Sequence, residues 1–153
     1  MSTKITDIYA ALVTLIQTAL PDHKRLTEVD EIDENDASLL RQGWALKIGG
    51  ATLSTDVICP QYNLERKFLI TLTREYLAKD SDVVRRDNSK IQVLEDLHLI
   101  LAAAVSDIQL GDLVTSFVYE DDGGPEELTL REKPYHMLEA TFTVRYFQLV
   151  SGG

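Results

Sequence analysis

Between positions 135 and 150 the chain alternates. Leu138, Ala140, Phe142, Val144 and Tyr146 fall on one side of an extended backbone, and Glu139, Thr141, Thr143 and Arg145 fall on the other. A period of two held this long predicts an antiparallel strand with one packed face and one polar face. The same alternation recurs at 66–74. There Arg66, Phe68, Ile70, Leu72 and Arg74 share one face, and Lys67, Leu69, Thr71 and Thr73 share the other. The apolar centre with charged ends suits a strand crossing the middle of a sheet. Trp44, Leu46 and Ile48 alternate with Ala45 and Lys47, predicting a further strand that Gly49-Gly50 ends.

Two segments switch to a helical period. Ile5, Ile8, Tyr9, Leu12, Leu15, Ile16 and Ala19 repeat at i, i+3, i+4, i+7, predicting a helix over 3–20. Thr3 or Thr6 can cap its start, and Pro21-Asp22 stops it. A second helix is predicted from Asn88 or Ser89 to Val105, with Ile91, Leu94, Leu97, His98, Leu101, Ala102 and Val105 on its apolar face. Ser106-Asp107 and Gly111 mark its exit. Asp80 to Lys90 reads as a charged connector. Residues 22–40 are weakly patterned, with one short strand and an acidic loop expected there. Leu113 to Tyr119 reads as a strand. Glu120-Asp-Asp-Gly-Gly-Pro125 reads as a hairpin tip, and Leu128 and Leu130 add to the sheet.

Strands that follow one another without intervening helices favour antiparallel pairing. The expected fold is α+β: a mainly antiparallel sheet of four or five strands with both helices packed on one face. At 153 residues the chain is most simply one domain, expected over 1–150, with Ser151-Gly152-Gly153 as a flexible tail. No repeat or linker interrupts it.

Composition narrows the function classes. The 44% hydrophobic and 26% charged fractions are those of a soluble globular protein. The single cysteine, Cys59, has no internal disulfide partner, so a reducing compartment is expected. No signal-peptide pattern and no membrane-length apolar run is present. The formal net charge is −10. A nucleic-acid holder normally carries basic clusters, because phosphate neutralisation supplies most of its affinity. The acidic balance has two readings: solubility, or a surface that must not stick to DNA passing nearby.

Catalytic and metal-binding patterns are lacking. His23, His98 and His136 are not spaced as a helical metal clamp. His98 is expected to be a core or interface histidine. Cys59 precedes Pro60 and has no identifiable base partner. The run from Asp30 to Asp36 lacks the glycine and the closing acid of a calcium loop. No nucleophile elbow, phosphate-binding loop or dinucleotide turn is present. No cofactor is therefore expected. Arg66, Lys67 and Arg74, with Arg85 and Arg86, lack the interleaved aromatics of a base-stacking surface. The candidate interface residues are Arg66, Arg74, Arg85, Arg86 and Arg145, together with Asp30, Asp33, Asp36, Asp121 and Asp122. At least one of Arg66, Arg74 and Arg145 is expected to pair with a carboxylate of an adjacent subunit.

In element order and size the chain resembles the tail-terminator (tail-to-head joining) proteins of long-tailed bacteriophages. The resemblance rests on the helix Ile5 to Ala19, the strand Arg66 to Arg74, the helix Ile91 to Val105 and the closing strand Leu138 to Tyr146. It implies a non-enzymatic virion protein, assembled in the host cytoplasm. Such proteins form a homohexameric ring that caps the tail tube, ends its polymerisation and offers a head-docking surface. The implied partners are the tail tube protein and a head completion or connector protein, with DNA passing through the lumen without tight binding. A related minor tail or head–tail completion protein would present the same pattern. Outside this class, the alternatives are a small cytoplasmic enzyme using carboxylates of the acidic loops, and an acidic adaptor that binds a basic partner through Asp30 to Asp36.

Overall fold

A computed structural model describes residues 5–26, 42–53, 61–75, 82–130 and 133–149. Helix α1 spans Ile5–Ala19 and α2 spans Asp82–Ser106. The strands are β1 (Lys24–Arg25), β2 (Gln42–Leu53), β3 (Gln61–Glu75), β4 (Ser116–Asp122), β5 (Glu126–Leu130) and β6 (Lys133–Leu149). They form one six-stranded sheet in the order β1-β2-β3-β6-β4, with β5 also on β6.

The expected class holds as α+β, and the sheet differs from expectation in two respects. It is mixed, because β1 runs parallel to β2, with Lys24 opposite Gly43 and Arg25 opposite Trp44. The strand count is six because the two-residue β1 joins and residues 116–130 split into two strands. The expected hairpin tip is the point of that split. β4 and β5 lie end to end along the same side of β6, both antiparallel to it, and do not pair with each other. Gly123, Gly124 and Pro125 interrupt what is otherwise one long strand. Gly124 takes φ 76, a left-handed value that a side chain would oppose.

The alternation read from sequence fixes which side of the sheet is packed. Trp44, Leu72 and Leu138 stand in register across β2, β3 and β6, as do Leu46, Ile70 and Ala140. These residues are buried on one face. Ile8, Leu12 and Ile16 of α1, at i, i+4 and i+8, join them in a single core. Val93, Leu97, Ile100 and Ala104 of α2 complete it. Both helices therefore cover the same face, as expected.

Four boundaries and one helical face need correction, the first being β4, which runs Ser116–Asp122 and not Leu113 to Tyr119. β2 runs through Gly49-Gly50, where a bulge between Ile48 and Ala51 absorbs the glycines. A side chain at Gly49 would meet the Lys67 carbonyl oxygen at 2.8 Å, so close backbone approach, not strand termination, explains that glycine. β3 is longer than predicted. α2 begins at Asp82, inside the expected connector, because no glycine or proline interrupts 82–106. Its buried face carries Ser89, Val93, Asp96, Leu97, Ile100 and Ala104, whereas Ile91, His98, Leu99, Ala102 and Val105 are exposed. The sequence face is rotated because a charged residue, Asp96, occupies the middle of the true core stripe. His98 is thus a surface residue. Past α2, Asp107 Oδ1 accepts the Gly111 amide at 2.9 Å, and Leu110, Gly111 and Asp112 are all left-handed, with φ 48, 66 and 68. This turn returns buried Leu110 and Val114 to the core before β4.

Candidate functional site

The face of the sheet away from the helices carries a linked set of charged and polar side chains. Across β3 and β6 it pairs Glu65 with Arg145, Lys67 with Thr143, Leu69 with Thr141 and Thr71 with Glu139. The charges are linked in a short lattice. Arg145 Nε lies 2.8 Å from Glu65 Oε1, and Lys67 Nζ lies 3.2 Å from Glu120 Oε1. Thr143 Oγ1 donates to the other Glu120 oxygen at 2.9 Å. The Thr143 hydroxyl, then Lys67, hold the Glu120 carboxyl below its ordinary range.

Arg66 and Arg74 belong to the opposite face. Both point to the helix side, one near each end of the packed stripe of β3. Arg66 donates from Nε to the Tyr146 hydroxyl and from a terminal nitrogen to the Gly49 carbonyl, each at 3.0 Å. Arg74 donates twice to Asp96, Nε to Oδ2 and a terminal nitrogen to Oδ1, both at 2.8 Å. His23 Nε2 sits 2.9 Å from Asp96 Oδ2, and the Gln42 amide nitrogen sits 3.2 Å from His23 Nδ1. Beside this group, cross-strand from Arg74, buried His136 bonds through Nδ1 to the buried Ser89 hydroxyl. The Asp96 side chain is only 4% exposed. Burial pushes its carboxyl upward, but the bonds and charges of Arg74 and His23 outweigh that, and the net result is a lowered pKa.

Asp121 and Asp122 come together with Glu126 and Glu139 around a recess of about 310 Å³ beside the Gly123-Gly124 interruption. Asp122 is locally engaged. Its Oδ1 accepts the Gly124 amide at 2.8 Å, and its Oδ2 accepts the Tyr119 hydroxyl at 2.5 Å. That bond, then burial, then the charges of Asp122 and Asp121, push the Tyr119 phenol up to about 12. A phenol raised in the folded state contributes stability that is complete below its unfolded value near ~10, and this is lost as pH rises through the folded value. Spectrophotometric titration is expected to find Tyr119 ionising late, and Asp122→Asn to return it toward ~10. An unchanged titration in Asp122→Asn would show that the bond does not govern Tyr119.

Of the candidate interface residues, Arg145, Asp121 and Asp122 stand on the polar face or its rim. Arg66 and Arg74 are engaged inside their own chain. The carboxylate that Arg74 meets here is Asp96 of its own chain. Arg85 and Arg86 lie in the first turns of α2, and Asp30, Asp33 and Asp36 lie outside the described residues, as does Cys59. Sequence reasoning missed Asp96 and His23. The available signal was a carboxylate three residues after Val93 and four before Ile100, a charge on an apolar stripe that demands a buried partner. Among the described residues no group of three His, Cys, Asp or Glu side chains is placed to hold a metal ion.

No protein-family model and no curated protein sequence matches the chain. Among solved structures, it is similar to the sheath/tube terminator of an extracellular contractile injection system, PVC, in its extended state. The match has 16% identity and a TM-score of 0.48, and covers 96% of this chain. The chain spans 57% of the length of that terminator. A likeness of this size fixes neither fold nor role.

Proposed function

We propose that this chain is a structural subunit of the tail-terminator type, which assembles head to tail into a ring at the end of a tail tube and performs no catalysis. The observation that carries the reading is the two-sided sheet: two helices bury one face, while the other holds an exposed, ion-paired region around Glu65, Lys67, Glu120 and Arg145, with Ala45, Thr73 and Tyr135 buried toward its opposite end. An exposed polar region on a long sheet suits a wall lining a lumen or facing a tube. A closed ring needs two different, complementary patches on each copy. The partners on this reading are further copies of the chain, a tail tube protein below and a head completion or connector protein above. The particle is a virion tail.

Charge fits a channel. Six copies at −10 each carry roughly −60, so phosphate crossing the lumen is repelled and does not adhere. The element order that resembles tail terminators agrees with the reading.

Two measurements test it. Mass measurement in solution with negative-stain imaging is expected to show six-fold rings, free or on tube ends. Particles assembled without the protein are expected to carry tails of irregular length that fail to join heads. Unchanged tail length and normal head joining in its absence would remove the functional reading.

A further inference from the structure

The two long edges of this sheet match each other. On its outer side β2 is covered by β1 only at Gly43 and Trp44. Among the described residues no strand pairs with the rest, Ala45–Leu53. That open half carries one charge, Lys47, and no proline, and it exposes Ile48 at 46% and Leu53 at 51%. Solvent-facing edges are normally blunted by charge, proline, bulges or short length; this one has the Lys47 charge and the bulge at Gly49-Gly50, but no proline, and it stays long. At the far side of the sheet, among the described residues, β4 pairs only with β6, and it exposes Val118 and Tyr119.

The registers place these two edges at the same height. Asp121 faces Thr141, Thr141 faces Leu69, and Leu69 faces Lys47. Along the next rungs, Tyr119 reaches Ile48 through Phe142 and Phe68, and Ser116 reaches Thr52 through Arg145 and Glu65. Three antiparallel steps separate the edges, so β4 runs opposite to β2. Repeating the sheet without turning it over therefore brings an antiparallel β4 against an open β2, with every helix on the same side. It sets Asp121 opposite Lys47 on the polar face and Tyr119 opposite Ile48 on the helix side. An opposite-charge pair and an aromatic–β-branched pair are both favourable across strands.

We propose that in the ring β4 of one copy pairs with the open half of β2 in the next copy, joined by Asp121–Lys47 and Tyr119–Ile48 contacts. This rests on the ring reading above and names its interface. β1 sets the limit of the contact, because it already fills the edge at Gly43 and Trp44. Beyond Asp122 the incoming copy presents β5, which continues along the same side of β6 at the height of Gly43, so the two sheets must bend apart at the Gly123-Gly124 interruption. A contact between different edges leaves one of each open on every pair, so it propagates until the ring closes. β2 on β2, or β4 on β4, would stop at a dimer.

The test uses full chains with Cys59→Ser, carrying either Lys47→Cys or Asp121→Cys, mixed under mild oxidation. Directly opposed antiparallel residues lie within disulfide reach, and oxidation traps even a sparse ring. The expected product is a mixed covalent dimer, absent when either variant is oxidised alone. A chain with both substitutions should give a ladder ending at the ring. Lys47→Asp or Asp121→Lys alone is expected to weaken association about fivefold per interface, and the double swap to restore it. Wild-type rings with no mixed cross-link and no response to the reversals would overturn the edge assignment and leave the ring reading standing. A wild-type chain that is monomeric by mass, and whose variants trap nothing, would overturn both. So would a Lys47→Cys chain that cross-links efficiently to itself.

Discussion

Arg74→Ala is expected to destabilise the isolated subunit by about 3–5 kcal/mol, because it strands the buried Asp96 carboxylate without its bidentate partner. Arg74→Glu is expected to be worse, since it sets a second negative charge against Asp96. The comparison residue is Arg145. Its pair with Glu65 is made at the surface, with the arginine side chain 54% exposed, and its removal is expected to cost only ~0.2–1 kcal/mol. Urea unfolding of the two alanine variants measures the difference. Equal, small losses would show that the Arg74–Asp96–His23 group is not held as described. pH gives an independent check. The Asp96 pKa is lowered on folding, so its contribution is complete above the ordinary carboxylate value near ~4. It is lost as pH falls through the lowered folded value. Wild-type stability should therefore drop in acid below that range, and Asp96→Asn, though weaker at neutral pH, should lose less of its stability there.

Phe142→Ala is expected to cost about 3–5 kcal/mol, the usual range for emptying a fully buried aromatic site. Phe142 has no exposed surface, stacks on Phe117 with centroids 4.9 Å apart and meets the Tyr119 ring edge-on at 5.7 Å. It ties β6 to β4, so its loss should also loosen the outer strand. The matched control lies on α2. Val105 is 77% exposed and Leu99 is 52% exposed, so Val105→Ser and Leu99→Ser should change stability by less than about 0.5 kcal/mol. A large loss at Val105 would mean that α2 buries the face suggested by its apolar spacing and not the one seen here.

Val105 shows where sequence periodicity stops being sufficient. In the strands the period is two, and a slip of one residue would put every apolar side chain in water. Leu138 to Tyr146 and Phe68 to Leu72 therefore declared their packed faces without help. The same holds for α1, where Ile8, Leu12 and Ile16 have no polar residue among them. In α2 the core stripe contains Ser89 and Asp96, both buried. Their partners, His136 and Arg74 with His23, come from strands and a turn distant in sequence. Apolar spacing alone shifted the face toward Ile91, Leu101 and Val105, because nothing local announces that a carboxylate will be neutralised from elsewhere.

The candidate site divides in the same way. Alternation determined that one sheet face is polar, and composition determined that the chain is acidic. That Arg145 stands on the face away from the helices, and Arg66 and Arg74 on the helix side, also follows from alternation. Whether each arginine already has a partner does not. That depends on which strands are neighbours, and the order β1-β2-β3-β6-β4 places β3 against β6 across the intervening α2, β4 and β5. The same order decided that β4 and β5 form one interrupted strand, and that the open edges of β2 and β4 stand at one height with opposite sense. Periodicity is a property of a single segment and reports which face it buries. Edge exposure, register between edges and the pairing of buried charges are properties of several segments at once, so only the tertiary structure sets them.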